Sequence, residues 1–379
     1  MKKFFVLLLF SLIFLGSSSQ AFAIYDPLTL PNNKFGIHIL FPAELPKAAE
    51  LVNSSGGDWG YITIPIQAGD KDIVKWQSFF DECRSRHIIP IVRLATEGNY
   101  FDKSTWRVGR DSDILDFANF LNSLSWPTKN RYVIVFNEVN RADEWEGKAD
   151  PGRYATLLSY AVTVFKSKNP SFFIISAGMD NASITDGKTY NEYDFFTQMD
   201  KAVPGIFNQI DGFASHAYPN PAFSQPPSAR TSRSISSFSF EEQTLDSLSN
   251  KKLPIFITET GWDQAAVSQS TAGNYFKTAV SSVWTDPRII AITPFLLQSG
   301  PGPFQKFSFL DQNGSPNDVF KSYQSIPKTR GTPPVNPIKK VLGVNVVYLS
   351  IPVRRFQEIA QSSRTIILKN AIKWFFPAL

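Results

Sequence analysis

Short apolar runs alternate with amphipathic stretches eight times between residues 35 and 325 of this 379-residue chain. Continuous apolar strands that alternate with helices are typical of a parallel sheet whose outer face is covered by those helices. The strands are predicted at 35–40, 59–66, 88–94, 132–136, 172–177, 212–217, 255–258 and 291–297. The helices are predicted at about 43–54, 71–86, 111–124, 151–168, 191–203, 239–250, 269–284 and 316–324.

The number of these units favours a closed sheet. Eight strand–helix units in about 300 residues match the count and size of a (β/α)8 barrel. The alternative is a doubly wound open sheet, which usually carries a glycine-rich phosphate-binding turn after its first strand. Gly36 stands alone before His38, and no G-x-G-x-x-G or Walker-type sequence occurs in the chain. We therefore predict an α/β fold, a TIM barrel over residues 24–332 with a short C-terminal extension.

The N-terminal segment has the pattern of a signal peptide. Lys2 and Lys3 precede an apolar run at 4–15, which is followed by small residues and Ala21-Phe22-Ala23. We expect residues 1–23 to be removed by cleavage after Ala23, and the protein to be secreted or extracytoplasmic. The alternative is an uncleaved membrane anchor, but the apolar run is short for a span that needs about 20 residues.

The net charge of +5 is concentrated at the C-terminal end. Residues 333–379 contain seven Lys and Arg residues and a single acid, Glu358, whereas residues 4–332 contain 29 basic and 32 acidic residues. A barrel without a basic excess gives no reason to expect nucleic acid as a partner. The basic extension mixes apolar and cationic residues at 356–376, a pattern suited to a membrane surface or a cell wall. The alternative is a helix packed on the barrel.

Metal and disulfide chemistry is not favoured by the sequence. Cys83 is the only cysteine, so neither an intrachain disulfide nor a cysteine-based metal site can form. The three histidines lack the H-x-x-x-H spacing of a zinc-binding helix. We therefore expect no metal and no cofactor, and the sequence does not indicate an oligomeric state.

Two of the predicted strands end on a glutamate. Phe136-Asn137-Glu138 closes the fourth strand, and Thr258-Glu259-Thr260-Gly261-Trp262 closes the seventh. In a barrel the chemistry lies at the C-terminal ends of the strands, so both glutamates are expected at the same mouth. A carboxylate at the end of a buried strand costs free energy unless it is paired or used. The pair is a candidate for acid/base and nucleophilic catalysis; the alternative is structural ion pairing with Arg93 and Arg141.

The chain resembles the retaining (β/α)8 glycoside hydrolases of clan A. Besides the two glutamate motifs, the resemblance rests on Ser215-His216-Ala217-Tyr218 after the sixth strand and on the closing stretch 307–316. It spans residues 35–325. It implies hydrolysis of O-glycosidic, β-configured bonds in a carbohydrate by double displacement, with Glu259 as nucleophile and Glu138 as general acid/base.

The resemblance also implies roles for the residues around the pair. Asn137 would contact the sugar 2-hydroxyl, and the phenol of Tyr218 would support Glu259, with His216 as its neighbour in the strand. Many clan members carry a tryptophan at the end of strand 8, where this chain has no tryptophan at 293–298. The further candidates for binding substrate are Arg93, His38, Trp262 and Gln298. Aromatic residues expected on the loops of the same mouth are Tyr100, Phe101, Trp106, Trp145 and Phe223. Either Phe295 or Gln298 substitutes for the missing tryptophan, or Trp262 takes its place.

The sequence leaves other classes of function open. The barrel could bind carbohydrate without hydrolysis, or it could transfer a glycosyl group to a sugar acceptor in place of water. A third alternative is a membrane- or wall-associated scaffold in which the extension is the functional part.

Overall fold

The computed structural model describes residues 24–96 and 106–336. The signal-peptide prediction at 1–23, the aromatic candidates Tyr100 and Phe101, and the extension from residue 337 onward lie outside the described residues. Within the described part, no helix is long and apolar enough to cross a membrane.

Eight parallel strands form the barrel in the described residues. They are β1 Gly36–His38, β2 Gly60–Gln67, β3 Ile88–Ala95, β4 Arg131–Ile134, β5 Phe172–Ile175, β6 Phe213–His216, β7 Ile255–Glu259 and β8 Ile289–Ile292. The ladders run in chain order from β1 to β5 and from β6 to β8. Parallel bridges between Ile175 and Gly212 and between Phe35 and Ile292 close the two remaining gaps. The predicted (β/α)8 barrel is confirmed.

The helices cover the outer face of the barrel. They are α1 Leu45–Val52, α2 Ile73–Ser85, α3 Asp111–Ser123, α4 Pro151–Lys168, α5 Glu192–Ala202, α6 Ile206–Gln209, α7 Ser237–Leu248, α8 Gln269–Ser282 and α9 Asp318–Gln324. Asp150, before the proline that begins α4, accepts a hydrogen bond from Arg153 N, and Asn317 caps α9 in the same way. Each predicted helix is present within a few residues, and α6 is an additional short helix.

Strand β8 was predicted at 291–297 but ends at Ile292. The apolar residues after it are buried, yet they leave the ladder because Pro294 has no N–H to donate. Instead, Pro294 O accepts a hydrogen bond from His38 N at 2.9 Å, and Leu297 N donates to His38 O at 2.9 Å. This segment therefore joins β8 to β1 at the mouth of the barrel.

The interior of the barrel is filled by large side chains from several strands. Tyr132 of β4 packs against Phe173 of β5 and Phe256 of β7, with ring centroids 4.9 and 5.5 Å apart. These rings are buried together with aliphatic side chains from β3, β5 and β8. A second apolar layer fills the space between the strands and the helices. The interior packing forms a solid floor on which the mouth of the barrel rests.

Two carboxyl groups are buried between β6 and the helices outside it. Glu192 begins α5 and Glu241 lies on α7, and each side chain is 1% exposed. Ser215 Oγ donates a hydrogen bond to Glu241 Oε1 at 2.9 Å. Burial and the charge of Glu241 raise the pKa of Glu192 well above its usual range, and burial raises the pKa of Glu241 to about 7. The pair therefore retains a proton in the folded protein near neutral pH.

We expect this pair to make the fold less stable in alkali. Since both folded pKa values are raised, the native state binds more protons than the unfolded chain above pH 4.5, and stability falls as the pH rises through about 7. The upward shift of Glu241 alone corresponds to about 3 kcal/mol. Glu192→Gln should flatten this decline. The drop in melting temperature from pH 5 to pH 8 should therefore be smaller in the variant than in the wild type. Calorimetry at the two pH values measures the effect, with the exposed Glu50→Gln as a control; an unchanged pH dependence would contradict it.

Candidate active site

A cavity of about 420 Å³ opens at the C-terminal ends of the strands. One part of its wall is polar and charged, and another part consists of phenylalanine rings. The lining residues are Leu40, Arg93, Trp106, Asn137, Glu138, Arg141, Glu144, Asp180, Ala182, Tyr218, Asn220, Phe223, Glu259, Phe295, Phe304 and Phe307.

Glu138 and Glu259 meet in this cavity, and each is 8% exposed. Glu259 is the last residue of β7, whereas Glu138 follows β4 with a φ angle of 35°. His216 Nδ1 lies 3.1 Å from Glu138 Oε1 and 3.8 Å from Glu259 Oε2. One oxygen of each carboxylate and His216 Nδ1 all lie within 4.8 Å of one another. The prediction that both glutamates share one mouth is therefore consistent with the geometry.

Gly178, just after β5, allows His216 to approach the pair. A Cβ atom at residue 178 would lie 2.2 Å from His216 Cδ2, so only glycine leaves room for the imidazole ring. Gly178 O also accepts a hydrogen bond from Glu138 N at 3.0 Å. One residue thus fixes the backbone of Glu138 and the position of its histidine partner.

Glu259 is held by groups from two other strands. Tyr218 Oη donates a hydrogen bond to Glu259 Oε2 at 3.0 Å, and His38 Nδ1 lies 3.6 Å from Glu259 Oε1. Burial raises the pKa of Tyr218 well above its usual range, so the phenol remains a donor. Burial and the charge of Arg93 lower the pKa of His38, which is therefore neutral.

Glu138 has charged partners on both of its oxygen atoms. Arg141 Nη1 donates a hydrogen bond to Glu138 Oε2 at 3.1 Å, while His216 Nδ1 contacts Oε1. The ion pair that the sequence offered as a structural alternative is thus present on Glu138. Arg141 is itself fixed by Asp143, whose two oxygens accept from Nε at 2.9 Å and from Nη2 at 2.7 Å.

The surroundings shift the pKa values of the two carboxyl groups in opposite directions. Burial opposes ionisation of Glu138, but Arg141 and the hydrogen bond from His216 outweigh it and lower the pKa of Glu138 to about 2. Burial raises the pKa of Glu259, although His216 counteracts it. Burial lowers the pKa of His216, but the Glu259 and Glu138 carboxylates together raise it. These surroundings favour ionisation of Glu138 before Glu259, the reverse of the order expected for a protonated Glu138 and an ionised Glu259.

Most of the other predicted residues lie in or beside the cavity. Asn137 and Arg93 line it, and the buried Asn137 Oδ1 accepts no hydrogen bond from the described residues. Among the predicted aromatic residues, Trp106, Phe223 and Phe295 line it. Trp145 instead is 4% exposed and packs on Tyr154.

Two predicted substrate-binding residues lie elsewhere. Trp262 is 1% exposed and packs between strand and helix against Phe276 and Trp284, with centroids 4.8 and 6.4 Å away. Its Nε1 donates to Gln225 O at 2.8 Å, and the ring does not line the cavity. Gln298 is half-buried and does not line the cavity, because the chain has already turned away after Leu297. Of the residues expected to replace the missing tryptophan after β8, Phe295 is the one that lines the cavity.

Several lining residues were not singled out from the sequence. Glu144, Asp180 and Asn220 follow β4, β5 and β6 respectively, and Phe304 lies in the loop after β8. The signal available for them was their position after a strand. That signal is shared by every loop residue of a barrel, so it could not select these side chains from their neighbours.

The same geometry could also hold a metal ion. Glu138, His216 and Glu259 each offer one ligand atom within 4.8 Å of the others. Two carboxylates and one imidazole are ligand types that bind divalent cations in proteins. However, His216 Nδ1 and Glu138 Oε1 already face each other at hydrogen-bond distance, which a shared proton explains without an ion.

The chain is similar to known carbohydrate-active proteins. A family model described as "Glycosyl hydrolase catalytic core" matches residues 105–323. No curated protein sequence matches the chain.

Solved structures share the fold. A family 39 glycoside hydrolase from Bacteroides cellulosilyticus WH2 is 15% identical with a TM-score of 0.53, over 80% of this chain and 65% of that one. A glucosidase from Croceicoccus marinus is 11% identical with a TM-score of 0.58, over 82% and 71%. An endo-beta-1,3-glucanase of family GH128 from Sorangium cellulosum is 17% identical with a TM-score of 0.50, over 78% and 98%. The chain thus spans slightly less than two thirds of the first of these neighbours.

The different locations of two tryptophans lead to a test. Trp262→Ala should lower the free energy of unfolding by about 3–5 kcal/mol, because it empties a fully buried site in the apolar layer. Trp106→Ala, in the half-buried cavity wall, should cost less than half as much. Urea unfolding of both variants measures the difference. Equal losses would contradict the placement of Trp262 in the core.

Proposed function

The chain belongs to the glycosyl hydrolase catalytic core family and is a glycoside hydrolase, and from this premise we propose that it hydrolyses β-configured O-glycosidic bonds with retention. The close approach of the Glu138 and Glu259 carboxylates carries the proposal. Retaining enzymes hold their two carboxyl groups about 5–5.5 Å apart, whereas inverting enzymes need about 6.5–9.5 Å to admit a water molecule. Carboxylate oxygens within 4.8 Å of each other favour the retaining arrangement.

The two glutamates have different roles in this mechanism. Glu259 attacks the anomeric carbon and forms a glycosyl ester, while Glu138 gives its proton to the departing oxygen. In the second step Glu138 removes a proton from water, and the resulting hydroxide releases the sugar from Glu259. Glu138 thereby regains the proton it gave in the first step.

The surroundings support this assignment. The hydrogen bond from Tyr218 at 3.0 Å stabilises Glu259 as a carboxylate, the form that attacks. The Glu138 side chain reaches the same cavity from β4, and Asn137 beside it is placed to contact a sugar hydroxyl. We propose Arg93, His38 and His216 as groups that orient the pair, since Arg93 lines the cavity and both histidines lie within 4 Å of a catalytic carboxylate.

The cavity is suited to a carbohydrate. Trp106 and four phenylalanines offer flat apolar area for the C–H faces of sugar rings. Carboxylate and amide groups in the same wall offer partners for hydroxyl groups. Because solved neighbours are described as a glucosidase and an endo-beta-1,3-glucanase, β-glucosides and β-1,3-glucan are the first substrates to test.

The reaction and the roles can be tested together. A 2-fluoro β-glucoside with a good leaving group should form an ester on Glu259 that mass spectrometry locates, and proton NMR should detect the β-anomer as the first product. Glu138→Gln should lower kcat/KM by about 10²–10⁴-fold on a phenyl β-glucoside, which needs protonation of its leaving group. The loss should be much smaller on a dinitrophenyl β-glucoside, which does not need it.

Glu259→Gln should abolish turnover of both substrates, and the exposed Glu50→Gln should change neither. Labelling of Glu138 would reverse the two roles. A first product of α configuration would reject retention, and full activity of Glu259→Gln would reject the site.

We further propose that the protein is exported and that its basic extension contacts a membrane or a cell wall. The supporting observations are the signal-peptide pattern at 1–23 and the charge of residues 333–379. Removal of residues 337–379 should release the protein from anionic vesicles or wall fragments in a sedimentation assay. The circular dichroism of the remaining barrel should be unchanged. Equal sedimentation of both forms would contradict the role of the extension.

A further inference from the structure

Arg141 occupies a position between two carboxylates of the cavity. Its Nη1 atom lies 3.1 Å from Glu138 Oε2 and 3.9 Å from Asp180 Oδ2. The other side of the guanidinium is held by two hydrogen bonds to Asp143. A small displacement of the guanidinium away from Glu138 Oε2 would bring Nη1 within hydrogen-bond distance of Asp180 Oδ2.

Both oxygen atoms of Glu138 have a polar partner in the cavity. Oε2 accepts from Arg141, and Oε1 faces His216 Nδ1 at 3.1 Å. This is the geometry of a carboxylate, the form that acts as a base on water. The acid step needs a proton on Glu138, and the guanidinium charge opposes that protonation, so the proton is favoured when Arg141 moves away.

Arg141 is better placed to withdraw than His216. The His216 side chain is 2% exposed and is confined by Gly178, whereas the Arg141 side chain is 30% exposed and lines the cavity. A substrate that enters the cavity can therefore reach the guanidinium. Asp180, which also lines the cavity, accepts hydrogen bonds from Ala182 N at 2.8 Å and from Ser183 Oγ at 2.9 Å, and its carboxylate keeps further lone pairs for the guanidinium.

We propose that Arg141 is a positioning residue that alternates between Glu138 and Asp180 during the catalytic cycle. The inference rests on the proposed function. With Arg141 on Asp180, Glu138 holds the proton that it gives to the leaving oxygen. With Arg141 on Glu138, the carboxylate is stabilised while the glycosyl ester on Glu259 awaits water. The proton taken from water then returns Glu138 to its acidic form as Arg141 moves back to Asp180.

The charges around Glu138 are consistent with this exchange. Arg141 and Asp143 belong to the loop after β4, Asp180 follows β5, His216 ends β6 and Glu259 ends β7. Arg93 of β3, Glu144 after β4 and Tyr218 after β6 also line the cavity wall. Burial and the nearby charge of Glu138 raise the pKa of Asp180. The approach of the guanidinium therefore stabilises the ionised form of Asp180.

The test uses two variants with opposite expected effects on the pH profile of kcat/KM for a phenyl β-glucoside. Arg141→Met removes the charge that favours ionised Glu138, so Glu138 keeps its proton to higher pH and the basic limb should move up by about one unit or more. Asp180→Asn removes the alternative acceptor, so Arg141 stays on Glu138 and the basic limb should move down. The dinitrophenyl β-glucoside, whose leaving group needs no proton, should show neither shift.

Arg153→Met, which removes an arginine paired with Asp111 at the surface, is the matched control and should leave the profile unchanged. If Arg141→Met lowers activity equally at all pH values without moving the limb, Arg141 is only structural and the inference is overturned, while glycoside hydrolysis by the wild type still stands. NMR titration of ¹³C-labelled glutamate carboxyl groups in Glu259→Gln, with and without Arg141→Met, provides a readout that does not need turnover. A higher pKa of Glu138 in the double variant supports the control of Glu138 by its ion pair with Arg141, even if no tested glycoside is hydrolysed. An unchanged Glu138 pKa rejects it.

Discussion

The repulsion between two buried carboxylates is the constraint on which the mouth of this barrel depends. Oxygens of Glu138 and Glu259 lie within 4.8 Å of each other. Two full charges at that distance repel each other by on the order of 3 kcal/mol at an effective dielectric constant of about 20. The cavity supplies donors and cations against this repulsion from several separate elements, with Arg141 and His216 on Glu138 and Tyr218 on Glu259. Because His216 and Tyr218 come from the β6 unit, whereas Glu138 follows β4 and Glu259 ends β7, the closed barrel is what assembles the site.

The floor beneath the site keeps these partners in register. Tyr132, Phe173 and Phe256 fill the barrel from β4, β5 and β7. These are the strands that carry Glu138, Gly178 and Glu259 at or just beyond their ends. A solid interior fixes the spacing of the strand ends, and Gly178 then allows His216 to lie against the pair. The precision of the site thus comes from packing below it as well as from hydrogen bonds within it.

The parts of the structure that the sequence predicted are those controlled by local periodicity. Apolar runs and amphipathic stretches located the eight strands and the helices that follow them, and the strand ends located Glu138, Glu259, His216 and Tyr218. Trp262 and Gln298 were misplaced because each lies a few residues beyond a strand end, where the direction of the loop decides where a side chain points. The exchange partners of Arg141 were not visible either, since Asp180 belongs to the next βα unit and only the closed fold brings it within 4 Å.

The residues around the pair ionise Glu138 before Glu259, whereas the first chemical step needs a protonated Glu138 and an ionised Glu259. Under the proposed mechanism this order of ionisation suits the second chemical step. When Glu259 is esterified it carries no charge, and Glu138 must be a carboxylate to accept a proton from water. The partners found on Glu138, Arg141 at 3.1 Å and His216 at 3.1 Å, are those that this second state requires. The first chemical step instead needs the guanidinium away from Glu138, on Asp180, so that Glu138 can keep its proton. In this mechanism the position of the Arg141 guanidinium sets the pKa of Glu138 in each half of the catalytic cycle.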